Sequence, residues 1–136
     1  MTLIVDSFAW IEFLGGTSLE PAIRAQLSEA DIVVTPDLVL AEVARKLARD
    51  GVSRPVALRK LRDISTLSQL APIGLDVALG VADADEELRR NAKSRGIDRP
   101  GLADAIILST TRAMGGKVLT GDGHFQGLPE AIWLGP

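Results

Sequence analysis

LIVDSFAWIEFLGG, residues 3–16, passes from a short apolar β-type run into an amphipathic helical pattern with a single acid, Asp6, at the join. Gly15-Gly16 then stops the helix. The same alternation repeats along the chain. LEPAIRAQLSEA (19–30) reads as a helix leading into the β-branched run IVVT (32–35). PDLVLAEVARKLARDG (36–51) carries start signals at Pro36 and Asp37 and a stop at Gly51. Ser53-Arg54-Pro55 opens a helix running through VALRKLRDISTLSQL to residue 70, and a short strand is expected around Ala71 to Gly74. Residues 75–95 read as one long helix stopped by Gly96. After the loop Asp98-Arg99-Pro100-Gly101 comes the apolar helix LADAIILSTTRAM, ended by Gly115-Gly116. KVLT (117–120) is a strand, GDGH a loop and AIWL (131–134) a last strand. Strands separated by helices pair in parallel, so the expected fold is α/β, a central parallel sheet sandwiched between helices on both faces. Residues 1–136 form one domain, with no repeat, linker or low-complexity segment.

Composition narrows the chemistry. The chain has no cysteine and one histidine, so thiolate catalysis, disulfides, zinc ribbons and two-histidine metal motifs are excluded. The 15 Lys and Arg face 18 Asp and Glu, for a net charge of −3. At face value that balance disfavours a nucleic-acid partner. The longest uncharged stretch, between Asp63 and Asp76, contains Ser, Thr and Gln and falls well short of the ~20 apolar residues of a membrane helix. The apolar start carries Asp6 and no preceding basic stretch, which reads as a cytoplasmic protein rather than an exported one.

Four acids are placed unlike the others. Asp6 closes the first strand and Asp122 follows the strand KVLT, so both fall at the carboxyl edge of a parallel sheet, where ligands gather. Asp104 sits inside LADAIILS, an unusually apolar setting for a carboxylate, with no obvious cationic partner within one turn. Glu42, in LVLAEVA, has a weaker form of the same placement. Each has a bland alternative: Asp6 and Asp104 as helix caps, Asp122 as a turn residue, Glu42 as a solvated or ion-paired side chain. Together, one acid per element suggests a carboxylate cluster. At ~5 Å and an effective dielectric of ~20, each ionised pair repels by about 3 kcal/mol. Mg²⁺ or Mn²⁺ relieves that repulsion, since both prefer oxygen ligands and retain waters and substrate phosphates. Such a site suits phosphodiester hydrolysis.

Asp6 in LIVDSFAW, Glu42 in LVLAEVAR, Asp104 in LADAIILS and Asp122 in VLTGDGHF together resemble the PIN domain, in the small free-standing form of the VapC toxin ribonucleases. The stretch Thr120 to Phe125 is the most specific part of the likeness. The resemblance implies Mg²⁺- or Mn²⁺-dependent RNA cleavage by the four acids, with Thr120 and Ser7 orienting carboxylates or water. In that reading Asp6, Asp104 and Asp122 hold the essential ion, and Glu42 holds a second ion or positions the attacking water. It also implies a homodimer neutralised by a small antitoxin whose tail packs near the site.

Basic residues supply a second candidate surface. Arg45, Lys46 and Arg49, continued by Arg54, Arg59, Lys60 and Arg62, form a stripe that could track an RNA backbone or be a solvated helix face. Arg89 and Arg90 are expected to pair with Asp85 and Glu86 at helical spacing. His124, beside a glycine turn, reads more readily as a surface residue than as a phosphate contact. GGKV (115–118) lacks the residues of a phosphate loop, GDGHFQG lacks the third glycine of a dinucleotide fingerprint, and the acids at 83–87 lack a calcium-loop glycine. Two rival functions remain. A phosphorylation-receiver domain would want paired acids after the first strand and a lysine ending the last, whereas Asp6 has no acidic neighbour and Lys117 begins its strand. A non-catalytic PIN-like RNA- or protein-binding module would be expected to have lost an acid, and all four are present. Without those four, 14 acids face 15 bases, so the net charge is no argument against RNA.

Overall fold

A computed structural model describes residues 1–136. Its strands are β1 (Thr2–Val5), β2 (Ile32–Pro36), β3 (Gln69–Ala71), β4 (Lys117–Thr120) and β5 (Ala131–Trp133). Its helices are α1 (Ser7–Leu14), α2 (Glu20–Glu29), α3 (Asp37–Arg49), α4 (Arg54–Leu67), α5 (Leu75–Arg95) and α6 (Leu102–Ala113), and Gly123–Phe125 forms a 3₁₀ turn. All five strands pair in parallel in the order β3-β2-β1-β4-β5. Leu3, Ile4 and Val5 are all fully buried, as are Val118, Leu119 and Thr120. Because successive side chains leave a strand on opposite faces, the centre of the sheet is covered on both sides. The expected α/β sandwich is the fold.

The chain begins on the central strand, builds β2 and β3 to one side, and then returns to build β4 and β5 on the other. The reversal lies between β1 and β4, and a crevice at the carboxyl ends of strands opens where the order reverses. Leu3 aligns with Lys117 and Val5 with Leu119, which brings Asp6 level with the end of β4. Beneath that edge Trp10 is fully buried, and its indole N–H donates to Thr35 Oγ1 at 3.0 Å. Thr35 and Ser68 hydroxyls meet at 2.7 Å, and Ser68 donates to Ile64 O at 2.6 Å. This chain of bonds satisfies the buried polar atoms where α1, β2 and α4 converge.

The region after Ile64 departs from the sequence reading. The helix expected to reach residue 70 ends at Leu67, and the strand expected at 71–74 is Gln69–Ala71. Ser68 is extended, with its hydroxyl turned back onto Ile64 O, and Val34, Thr35 and Pro36 align with Gln69, Leu70 and Ala71. Pairing with β2 takes residues whose local pattern favours helix, an override that no local signal records.

Candidate metal centre

Asp6 is the first residue after β1, and its backbone turns into α1 as the helix N-cap, accepting from Ala9 N–H at 3.0 Å. Its other carboxylate oxygen accepts from the hydroxyl of Thr120, the last residue of β4. The same Thr120 oxygen accepts from Asp122 N–H at 2.9 Å. A single side chain thereby ties the ends of the two strands that flank the crevice. Asp122 caps the 3₁₀ turn by accepting from His124 N–H at 2.9 Å, and Asp104, in the first turn of α6, accepts from Gly101 N–H at 3.0 Å. The cap readings of Asp6 and Asp104 and the turn reading of Asp122 are therefore all correct. They do not compete with the cluster reading, because the amide dipoles at a helix start favour a nearby anion.

Asp122 is the common neighbour. Its charge bears on Asp6, on Glu42 and on Asp104. Asp104, Asp122 and His124 each offer a ligand atom within 4.8 Å of the others. Burial is the main force on the acids. It pushes Asp6 up to about 7, against the Thr120 and Ala9 hydrogen bonds and with help from the charges of Asp122 and Glu42. Asp104 is raised to about 6 by burial and then by Asp122, with Gly101 N–H and His124 opposing. Glu42, half-buried on α3, is also raised by burial, against the Ser7 hydroxyl and the Arg45 guanidinium. Its Oε1 is buried with no hydrogen-bond partner. Four acids from four segments thus share one edge of the sheet, at an electrostatic cost that a cation would remove.

His124 is not the surface residue expected from its glycine-flanked position. Its side chain is 17% exposed. Nδ1 meets Asp122 Oδ1 at 2.9 Å and lies 3.7 Å from Asp104 Oδ2, while Nε2 faces Asp98 O at 3.0 Å. Both ring nitrogens face acceptors, which only the doubly protonated ring can satisfy. Burial alone would depress its pKa, but the bond and charge of Asp122, the Asp98 carbonyl and Asp104 outweigh it and the net shift is upward. The signal available in the sequence was its two-residue spacing from Asp122, but the link to Asp98 crosses 26 positions.

The basic residues divide. Lys46 pairs with Asp50 at 3.0 Å, and both are exposed. Arg45 is exposed one turn beyond Glu42, and Arg49 is exposed at the end of α3. None of the three belongs to the acid cluster. Arg89 pairs with Asp85 at 2.9 Å and Arg90 lies 3.8 Å from Glu86, as their helical spacing predicts.

The residues fit a hard divalent cation. The donors are carboxylates, of which Asp6, Glu42 and Asp104 are held above their usual range by burial, and the unpartnered Glu42 Oε1 has a spare lone pair.

The sequence model of the PIN domain matches residues 3–131. Among curated protein sequences none matches. Solved structures do: a toxin–antitoxin complex from Klebsiella pneumoniae at 16% identity and TM-score 0.71, with 97% of each chain covered. VapBC2 from Rickettsia felis bound to a DNA fragment from their promoter aligns at 16% identity and TM-score 0.70, over 98% of this chain and 97% of that one. The Mycobacterium tuberculosis VapC20, a Sarcin-Ricin loop cleaving toxin, aligns at 23% identity and TM-score 0.67, over 94% and 97%. At these identities the likeness is one of fold.

Proposed function

The chain belongs to the PIN domain family, and on that premise we propose that it is a divalent-metal-dependent endoribonuclease, the toxin of a toxin–antitoxin pair. The observation that carries this reading is the convergence of Asp6, Glu42, Asp104 and Asp122 at the crevice between β1 and β4, with Asp122 acting on the other three. Asp6, Asp104 and Asp122 would hold Mg²⁺ or Mn²⁺, with Glu42 holding a second ion or positioning the attacking water. When bound, such an ion would supply neutralising charge and lower the pKa of a coordinated water. Thr120 fixes the direction of the Asp6 carboxylate and the position of Asp122 through its one hydroxyl. In this reading Glu42, whose Oε1 is buried and unpartnered, would accept the proton of the attacking water as the P–O bond opposite it breaks, the released oxygen taking its proton from solvent. Arg45, Lys46 and Arg49 offer an exposed cationic margin for the RNA backbone, weakened at Lys46 by its pairing with Asp50.

The neighbours described as toxin–antitoxin complexes support a small antitoxin as partner. A homodimer is supported by Leu75 and Leu79, 85% and 83% exposed one turn apart on α5, and by Leu102, 68% exposed. No helix is long and apolar enough to cross a membrane, and action in the cytoplasm is part of the proposal.

Incubation of the purified protein with a panel of structured RNAs in Mg²⁺, Mn²⁺ and EDTA tests the reading. Discrete cleavage in the metal lanes, absent in EDTA and in Asp104→Asn, is the expected result. Cutting that persists unchanged in EDTA would remove the metal from the mechanism. RNA retention without cutting in any lane would favour the non-catalytic binding module.

A further inference from the structure

The turn that carries Asp122 is a single 3₁₀ turn, too short to hold its own geometry. On its upstream side it is fixed by Thr120. On its downstream side it is fixed by side chains of α5, which belongs to neither strand of the crevice. Both hydrogens of the Asn91 amide are spent on this turn: Nδ2 donates to His124 O and to Gln126 O, each at 3.1 Å. These carbonyls flank Phe125, which is fully buried and anchors the turn to the core. Arg95, one helical turn further along α5, adds bonds to Gln126 O at 2.6 Å and to Gly123 O at 3.5 Å. Asn91 is half-buried whereas Arg95 is exposed, so the Asn91 bonds are the better shielded from water.

We propose that Asn91 is a positioning residue of the metal centre: by holding the His124 and Gln126 carbonyls it sets the placement of the Asp122 carboxylate and of the His124 ring, and thereby the affinity of the site for its divalent ion. The inference rests on the metal-centre reading above. Both hydrogens of the Asn91 amide point at backbone oxygens, so its observed link to the centre runs through the turn. Without Asn91, His124 O has no other side-chain donor and Gln126 O keeps only the exposed Arg95, so the segment from Asp122 to Gln126 loses its shielded tie to α5. The ligand geometry then loosens even though each acid is still present. Outer residues that orient metal ligands typically change metal affinity about 10- to 100-fold when removed.

The test is Mn²⁺ binding to the full chain at pH 7.5, read from the electron paramagnetic resonance signal of free Mn²⁺, with no RNA present. Wild type, Asn91→Ala, Asn91→Leu and Ile23→Val are compared. Leucine approximates the shape of asparagine without its donors and serves if alanine leaves a gap that unfolds the turn. Ile23 lies fully buried on α2, outside the metal centre, and its variant controls for general destabilisation. The expected result is a Kd raised about 10-fold or more in both Asn91 variants, with unchanged stoichiometry, and a wild-type Kd in Ile23→Val. Wild-type Kd in the folded Asn91 variants would overturn the role of Asn91 and leave the metal centre standing. Failure of wild type itself to bind Mn²⁺ would instead overturn the metal-centre reading, and this inference with it.

Discussion

The hydroxyl of Thr120 donates to Asp6 and accepts from Asp122 N–H, so it supports two site acids with one proton and one lone pair. Thr120→Val keeps the shape and leaves an Asp6 oxygen unpaired in a buried setting and Asp122 N–H unpaired in a part-buried one. Each stranded polar group costs roughly 1–3 kcal/mol, so a clear drop in thermal midpoint is expected, together with weaker cleavage. Thr120→Ser should restore both, and a valine variant as stable and active as wild type would contradict the role of the hydroxyl. Asp104→Asn should abolish metal-dependent cleavage and raise the midpoint of the metal-free protein, because it removes a carboxylate that burial and Asp122 both disfavour. A fall in that midpoint would mean that the cap on Gly101 N–H outweighs the repulsion. At this scale the four candidate acids were legible because carboxylates among apolar neighbours demand a cause. His124 was legible only through its spacing from Asp122, and Asn91 was not, since the links to Asp98 and to the turn span 26 and 33 or more positions.

Three of the four acids stand at the start of a helix or helical turn, so the same residues that begin these elements also build the centre. Placement then depends on how closely the elements approach. A Cβ at Gly121 would lie 2.3 Å from the Phe8 ring, so glycine is what lets that ring of α1 pack against the segment between Thr120 and Asp122. Gly121→Ala must displace the Phe8 ring or the segment that carries Asp122, and a loss of Mn²⁺ affinity is expected in parallel binding and melting measurements if the segment gives way. Further from the centre, α5 and α6 touch through Gly80, where an added Cβ would lie 2.6 Å from Ser109 Oγ, itself donating to Val77 O at 2.6 Å. Gly80→Ala should cost about 1–3 kcal/mol by overpacking, read as a lower urea midpoint. Element ends such as that of α5 were legible from Gly96, whose φ of 67° is left-handed and closes the helix. The short strand β3 was not, because its three residues are fixed by pairing with β2 and not by their own pattern.

For the whole molecule the acid cluster is a pH-dependent liability. Asp6 moves from 3.8 to about 7 and Asp104 from 3.8 to about 6, so between these values the folded chain binds more protons than the unfolded one. Stability must then fall as pH rises from about 4 to about 7. The raised His124 acts in the same sense, losing its contribution above its unfolded value of 6.5. The metal-free protein should melt several degrees higher at pH 5.5 than at pH 8, and Mg²⁺ or Mn²⁺ should recover the difference at pH 8. Ligand at about 100 times its Kd contributes roughly 2.7 kcal/mol to the folded state. A midpoint indifferent to both pH and metal would show that the acids are not mutually strained. The sequence by itself determined the α/β class, most element ends and which acids stand out as candidates, because hydrophobic period, glycine stops and misplaced charges are local quantities. Only the tertiary structure decided the strand order that opens the crevice between β1 and β4, the pairing that makes β3, and the side chains that hold the Asp122 turn from α5. Those depend on contacts between residues distant in the chain, whose energies appear only when the elements have packed.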